Sequence, residues 1–149
     1  MQIDRRIAWA LRCFVMALAL NLGGAAHAHA ELLPADWTRI KAVITAQRAA
    51  MASGDGARAF SYAAPAIRRY FGDVETFMRM VRLSYAALVD ARYVEFLEGA
   101  VVGGDVVQPL RLVMNDGTVW VALYGMQRQD DGSWRIASCV IAPSTVRSA

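Results

Sequence analysis

The second half of the sequence places large aromatic and hydrogen-bonding side chains at even spacings, a pattern that could form a binding site. If two hairpins close with three-residue loops, one face of a sheet carries Gln108, Trp120, Tyr124, Trp134 and Ser138. Large rings with few polar groups are typical of a pocket for a small molecule. The alternative is an amphipathic core whose polar atoms satisfy one another. A two-residue turn at Asp116-Gly117 would reverse the parity of the neighbouring strand and break up this set.

The family resemblance described below implies an isomerase or cyclase as one alternative, and such an enzyme would need a carboxylate base and a phenol that stabilises an enolate. The candidates are Tyr124 as the oxyanion donor and Glu95 or Asp105 as the base. Glu95 and Glu98 differ by an odd number of residues, so a regular strand would direct them to opposite faces. We therefore assign no catalytic residue, and we keep such an enzyme as an alternative to a binding protein.

Histidine and cysteine are scarce in this chain. The two histidines are His27 and His29, and the two cysteines are Cys13 and Cys139. If residues 1–30 are removed, the remaining chain lacks the residues for histidine-based hydrolysis, histidine-ligated zinc or an intramolecular disulfide. Cys139 lies in an apolar run and is expected to be a buried structural thiol. With no phosphate-binding glycine loop or zinc-type cysteine spacing, we expect no metal and no cofactor.

The first 30 residues have the pattern of an export signal. Arg5 and Arg6 precede an uncharged, mostly apolar run of 14 residues from Cys13 to Ala26. A membrane-spanning helix needs about 20 such residues. Two Ala-His-Ala triplets, ending at Ala28 and Ala30, fit the small residues that signal peptidase requires. We therefore predict a cleavable signal peptide over 1–30 and a single domain over 31–149, with its core at about 36–143, in the periplasm or secreted.

Removing the leader also removes most of the net positive charge. The whole chain has a formal net charge of +3, and residues 31–149 contain 13 basic and 12 acidic residues. A nearly balanced charge gives little attraction to phosphates, so we expect no nucleic-acid partner. We also expect no membrane association after cleavage.

The first half of the mature chain predicts helices. Apolar residues recur at three- and four-residue steps between Trp37 and Met51, with Asp36 as the expected N-cap and Gly54 as the stop. Asp55, Pro65 and Asp73 are expected to begin three further helices. The inner face of the last helix is predicted to comprise Val74, Phe77, Met78, Val81, Tyr85 and Leu88.

The second half predicts four strands, at about 91–99, 105–114, 118–127 and 133–142, separated by glycine-containing turns. Helices followed by an antiparallel meander indicate an α+β fold, with the helices on one face of a curved four-stranded sheet. Both faces of the sheet contain apolar residues. In the last strand, one face is predicted to carry Trp134, Ile136, Ser138 and Val140, and the other Ala137, Cys139 and Ile141. We expect the uncovered face to form a homodimer, the alternative being a loop or helix that covers it.

Several short segments resemble a known superfamily. They are Ala64-Pro65-Ala66-Ile67, Phe71-Gly72-Asp73, Phe77-Met78-Arg79-Met80-Val81-Arg82, Val107-Gln108-Pro109, Trp120-Val121-Ala122-Leu123-Tyr124 and Gly132-Ser133-Trp134-Arg135-Ile136. Together with the order of helices and strands, they resemble the nuclear transport factor 2-like superfamily and, within it, the exported family called domain of unknown function 4864. The resemblance covers about residues 36–143 and implies a conical cavity between helices and sheet, with frequent dimerisation through the sheet.

The resemblance implies no assigned activity, because folds of this kind host many functions. We expect a non-catalytic module that binds a small apolar ligand or a protein partner. The isomerase or cyclase is one alternative, and a structural accessory protein of the cell envelope is another.

Overall fold

A computed structural model describes residues 32–145 of the chain. The predicted signal peptide, residues 1–30, lies outside the described residues. Between Leu32 and Thr145, no helix is long and apolar enough to cross a membrane.

Five helices form the first half of the described chain. They are α1 (Pro34–Ala52), α2 (Gly56–Ser61), α3 (Pro65–Phe71), α4 (Val74–Ser84) and α5 (Ala86–Asp90). The predicted starts are confirmed for α2 to α4. Before α2, Asp55 accepts a hydrogen bond from the Arg58 N–H (3.1 Å), and before α4, Asp73 accepts one from the Thr76 N–H (2.7 Å). Pro65 is the first residue of α3. Gly54 follows the end of α1 with a φ of 74°, a conformation that favours glycine.

The start of α1 differs from the prediction. The helix begins at Pro34, so Asp36 lies inside the first turn and is not the N-cap. Its Oδ2 atom accepts a hydrogen bond from the Leu33 N–H (3.2 Å), as a carboxylate at this position can. The predicted final helix is also interrupted. Tyr85 leaves helical geometry, with a φ of −128° and ψ of 23°, and separates α4 from α5.

The second half forms one antiparallel sheet. Its strands are β1 (Tyr93–Phe96), β2 (Ala100–Val102), β3 (Asp105–Val113), β4 (Val119–Arg128) and β5 (Trp134–Pro143). The order is β1-β3-β4-β5, and β2 also pairs with β3. The α+β class is confirmed, whereas the sheet within residues 32–145 has five strands and not the four predicted. The predicted strand 91–99 is shorter in the structure and ends at Phe96. Three residues further on, the Trp37 ring packs on Gly99, where a Cβ atom would collide with it.

Each of the three hairpin loops contains glycine in a positive-φ conformation, which allows the chain to turn tightly there. Gly103 and Gly104 both have positive φ (59° and 93°), as a tight two-residue turn requires. The β3–β4 loop closes through the Met114 N–H and the Thr118 carbonyl (2.9 Å). The β4–β5 loop closes through Gln129 and Ser133 (2.8 Å). Both are three-residue loops, as predicted, so the expected parity of β3 against β4 is correct.

The parity of β5 is not as predicted, because the strand contains a bulge. Tyr124 pairs with Cys139 and Gly125 with Ser138, but the next pair is Met126 with Ile136, which leaves Ala137 without a partner on β4. Ile136 is also bound from the other side: its N–H donates to the Tyr62 carbonyl (2.9 Å), and its carbonyl accepts from the Ala64 N–H (2.8 Å). Beyond the bulge, Cys139 and Ile141 therefore share the face of Trp134 and Ile136. Ser138 and Val140 lie on the opposite face.

The helices cover the face of the sheet that contains Tyr124. Buried residues on this face include Leu110, Leu112, Ala122, Tyr124, Met126, Trp134, Ile136 and Cys139, and the helices contribute Ile40, Ile44, Phe77, Val81 and Leu88. On the opposite face, the side chain of Leu123 is 43% exposed. This two-sided arrangement encloses an interior between helices and sheet, and that interior contains the polar groups described next.

Candidate functional site

Gln108 and Tyr124 face each other across β3 and β4, and both side chains are completely buried. Side chains opposite each other in an antiparallel pair have their Cβ atoms about 4.5–5.5 Å apart. The three-residue β3–β4 loop produces this juxtaposition because it fixes the register of the two strands. Both side chains lie on the face covered by the helices, so the centre of the protein contains an amide and a phenol.

The Gln108 amide is fixed in orientation but only half satisfied. Its Nε2 atom donates to the carbonyl oxygens of Leu97 (2.7 Å) and Pro109 (2.9 Å). Two carbonyl partners identify this atom as the nitrogen, because only the amide nitrogen can donate. The other atom, Oε1, is buried and receives no hydrogen bond from residues 32–145. An acceptor is therefore left available in the interior.

The Tyr124 hydroxyl is the second buried group, and no nitrogen or oxygen atom of residues 32–145 is hydrogen-bonded to it. Its polar neighbour is the Cys139 thiol, which is only a weak hydrogen-bonding partner. Burial raises the pKa of the phenol well above its ordinary value, and Cys139 adds to the rise, while the positive charge of Arg48 opposes it. The hydroxyl therefore stays protonated near neutral pH and can donate a hydrogen bond.

Arg48 on α1 is a further member of this site, one that was not predicted from the sequence. Its Nε–H donates to the Leu88 carbonyl (2.8 Å), near the end of α5, where carbonyls lack helical partners. The side chain is half-buried, and burial lowers the pKa of the guanidinium, which the nearby Tyr124 partly offsets. A signal was available: Arg48 follows Ile44 by four residues, so it extends the apolar stripe of α1 towards the interior.

Tyr85 and Cys139 complete the site on the side of the helix break. The Tyr85 hydroxyl donates to the Cys139 carbonyl (3.0 Å), and burial raises the pKa of Tyr85 above its ordinary value. Burial also raises the pKa of the Cys139 thiol, to about 12. The expectation of a buried Cys139 is confirmed. We refer to Arg48, Tyr85, Gln108, Tyr124 and Cys139 as the interior polar cluster.

The high pKa of Cys139 predicts that stability falls at alkaline pH. The thiol keeps its proton in the folded chain up to about pH 12, whereas the unfolded thiol loses it near its ordinary pKa of 9.0. The contribution of the protonated thiol to the free energy of unfolding is therefore complete below pH 9. As the pH rises from 9 towards 12, that free energy falls by about 1.4 kcal/mol per pH unit. Urea denaturation at pH 7, 9 and 10 should show this decline, and Cys139→Ala should make it shallower. An equal decline in the variant would contradict the assignment.

The structure does not bring the five predicted pocket residues together. Gln108 and Tyr124 are adjacent, but Trp134 lies near one end of the sheet, where its indole Nε1–H donates to Asp36 (3.4 Å). Trp120 lies near the other end, opposite Leu112 and Pro143. Ser138, beyond the bulge, lies on the opposite face and packs against Gly125.

Trp120 contributes to a separate open groove of about 780 Å³. The groove is lined by Asp90, Met114, Asn115, Asp116, Thr118, Val119, Trp120, Pro143 and Ser144. Asp116 stabilises the β3–β4 loop, since its Oδ1 atom accepts hydrogen bonds from the N–H and hydroxyl of Thr118 (2.9 and 2.7 Å). This lining does not include Gln108 or Tyr124, so the groove is distinct from the interior polar cluster.

The carboxylates considered for catalysis are not placed beside Tyr124. Glu95 pairs with Arg111 across β1 and β3 (3.2 Å), on the face opposite Tyr124. Asp105 is exposed at the beginning of β3. Within residues 32–145, no carboxylate is hydrogen-bonded to the Tyr124 hydroxyl. The arrangement needed by an isomerase or cyclase is thus not assembled there.

No group of three or more histidine, cysteine, aspartate or glutamate residues is positioned to hold a metal ion within residues 32–145. The interior polar cluster can instead offer a neutral acceptor from Gln108, a neutral donor from Tyr124 and the positive charge of Arg48. Groups of this kind bind and orient an uncharged or anionic molecule by hydrogen bonds.

Comparison with known proteins identifies a family and no individual relative. No curated protein and no solved structure matches the chain. Residues 34–149, which include all five helices and all five strands, match the family described as Domain of unknown function (DUF4864). The chain belongs to that family.

Proposed function

We propose that the protein is a non-catalytic module that binds a small, largely apolar molecule between its helices and its sheet. The observation that carries this proposal is a pair of buried polar atoms: Gln108 Oε1 has no hydrogen-bonding partner in residues 32–145, and Tyr124 Oη has only the weak Cys139 thiol beside it. Leaving such a group unsatisfied costs about 1–3 kcal/mol, and native proteins rarely do so. Here two such groups lie side by side on neighbouring strands. A bound molecule with its own hydrogen-bonding atoms would satisfy both.

The wider context of this proposal is an exported protein with a nuclear transport factor 2-like fold. The basic residues, apolar run and Ala-His-Ala triplets of residues 1–30 support export to the periplasm. The order of helices followed by an antiparallel sheet, with helices on one sheet face, supports the superfamily placement. A polar cluster between those two layers is where a cone-shaped domain of that kind would hold a ligand.

Native mass spectrometry of the protein purified without denaturation tests this proposal. We expect an added mass that disappears when the protein is unfolded, and we expect Gln108→Met to reduce its occupancy. Ser138→Ala provides the control, because Ser138 lies on the opposite face of the sheet. Absence of any added mass, together with an experimental structure in which only water binds Gln108 Oε1 and Tyr124 Oη, would contradict the proposal.

The second proposal concerns the open face of the sheet, which we infer forms a homodimer. Leu123 is 43% exposed there, and Val121 and Val140 are only partly covered. The same face carries Glu95 and Arg111, a pair of opposite charges. A two-fold dimer buries the same patch from both copies, so a patch with an apolar centre and both signs of charge is self-complementary.

Sedimentation at tens of micromolar protein tests the dimer. We expect a dimer for the native chain and a monomer for Leu123→Lys, because a lysine on each copy would place unpaired charges in the interface. Leu83→Lys is the matched control, since Leu83 is 79% exposed on α4 and lies on the side of the helices. A native monomer would leave this face available to a different protein and would contradict the homodimer.

A further inference from the structure

The open groove beside Trp120, of about 780 Å³, lies at the end of the sheet where α5 leads into β1. Three backbone hydrogen bonds join the segments around it. They run from the Arg92 N–H to the Val113 carbonyl (3.0 Å), from the Met114 N–H to the Thr118 carbonyl (2.9 Å), and from the Ser144 N–H to the Val119 carbonyl (2.7 Å). The end of α5, the β3–β4 loop and the end of β5 are therefore tied together, and the backbone sets the shape of the groove.

An aromatic ring forms part of the groove wall. Trp120 on β4 is partly exposed there, and Met114, Val119 and Pro143 add further apolar surface. A tryptophan ring attracts an organic cation through the negative face of its π-system. Methionine and aliphatic side chains contact the apolar part of such a molecule. The wall therefore suits a ligand that combines a positive charge with an apolar body.

The charged residues of the same lining are all acidic. They are Asp90, the last residue of α5, and Asp116 in the β3–β4 loop, and the lining within residues 32–145 includes no lysine, arginine or histidine. Asp90 takes part in none of the three ion pairs of the described chain. A carboxylate at the C-terminal end of a helix is also unfavourable, because the last carbonyls carry partial negative charge. A cation bound in the groove would offset this repulsion.

We infer that this groove binds a small organic cation, of the class of a primary amine with an aromatic or aliphatic body. Its ammonium group lies near Asp90 and Asp116, and its body lies against Trp120. The inference goes beyond the proposed function, because it adds a second binding site. It does not depend on the interior polar cluster, since the lining of the groove includes neither Gln108 nor Tyr124.

NMR titration of the nitrogen-15-labelled protein at pH 7 tests the inference, with 2-phenylethylamine and 2-phenylethanol as probes. The two probes share a carbon skeleton and differ in charge. We expect the amine to bind about fivefold or more tightly than the alcohol, the combined range of a cation–π contact and an exposed ion pair. The indole N–H signal of Trp120, identified by its loss in Trp120→Phe, should shift. The indole of Trp134, which donates to Asp36 elsewhere in the fold, is the internal reference and should not shift.

Asp90→Asn removes one charge from the groove with little change in size. It should weaken binding of the amine about two- to fivefold and change binding of the alcohol less than about twofold. Asp105→Asn is the matched control, because Asp105 is also an exposed carboxylate but lies at the beginning of β3, the opposite end from the groove. It lowers the net negative charge equally and should change the affinity for the amine less than about twofold.

Three results would contradict the inference. The first is equal affinity for the two probes, or an equal effect of Asp90→Asn and Asp105→Asn. The second is binding without a shift of the Trp120 signal, which would place the site elsewhere. The third is binding that occurs only in Arg147→Gln, which would mean that the C-terminal residues of the chain occupy the groove. None of these results changes the added mass expected for the interior, so the inference can fail while the proposed function stands.

Discussion

Replacing Tyr124 by alanine is expected to lower the free energy of unfolding by about 3–5 kcal/mol, the range for removing a buried aromatic ring. Replacing it by phenylalanine should leave that free energy unchanged or raise it by up to about 1 kcal/mol. The two substitutions differ because they remove different things. Alanine removes a completely buried ring, whereas phenylalanine removes only a hydroxyl whose polar neighbour in residues 32–145 is the weakly hydrogen-bonding Cys139 thiol.

The matched control is Tyr85→Phe, because the Tyr85 hydroxyl does have a partner. Its loss leaves the Cys139 carbonyl without the 3.0 Å hydrogen bond it accepts, which should cost about 1–3 kcal/mol. Urea denaturation at pH 7 of protein refolded without any co-purified molecule measures all three variants. If Tyr124→Phe destabilises this protein as much as Tyr85→Phe does, the Tyr124 hydroxyl has a stronger partner in solution than the Cys139 thiol, and the basis of the binding proposal fails.

Local chemistry accounts for the parts of the fold that could be predicted from the sequence. Asp55 and Asp73 begin helices because their carboxylates bind N–H groups three residues ahead. Asp116 and Asp131 organise hairpin loops by accepting hydrogen bonds from the N–H groups two residues ahead. Each of these contacts lies within four residues of sequence, so the pattern of residues was enough to predict it.

The prediction for β5 was wrong because distant segments decide the structure of that strand. The β5 bulge at Ala137 adjoins Ile136, which is bound by Tyr62 and Ala64 from the α2–α3 connection. Nothing in the alternation of residues 133–142 signals that contact. The assignment of Ser138 to the face of Tyr124 failed for this reason, since one extra residue moves everything beyond it to the other face.

Only part of the candidate site could be predicted, because the rest of it depends on contacts between distant segments. The loop length fixed Gln108 opposite Tyr124, and this pair was correct. Sharing a face does not make residues neighbours, however. Trp134 pairs with Arg128, which lies eight residues along β4 from Trp120, so about 26 Å separates the two ends at 3.3 Å per residue. Arg48 comes from a different layer of the fold, and only the packing of α1 on the sheet brings it to Tyr124.

The second large effect is expected at Leu110. Leu110→Ala should lower the free energy of unfolding by about 2–5 kcal/mol, because the side chain is completely buried in a central strand and its removal leaves a cavity. Leu123→Ala on the next strand is the matched control. Its side chain is 43% exposed on the opposite face, so the same change removes fewer contacts and should cost about 1 kcal/mol or less in a monomer.

The comparison of these two leucines tests which face of the sheet the helices cover. Its result depends on whether the open face, which carries Leu123, is free or paired in the proposed dimer. Urea denaturation at low protein concentration isolates the monomer, where the difference between the variants should be largest. If the proposed dimer forms, the cost of Leu123→Ala should increase as the protein concentration rises, since its interface then contributes to stability. The cost of Leu110→Ala should stay constant. If both substitutions lowered the free energy of unfolding equally at low concentration, both faces of the sheet would be covered within one chain. The face that carries Leu123 would then be unavailable to a second copy and would not be an outer surface of the protein.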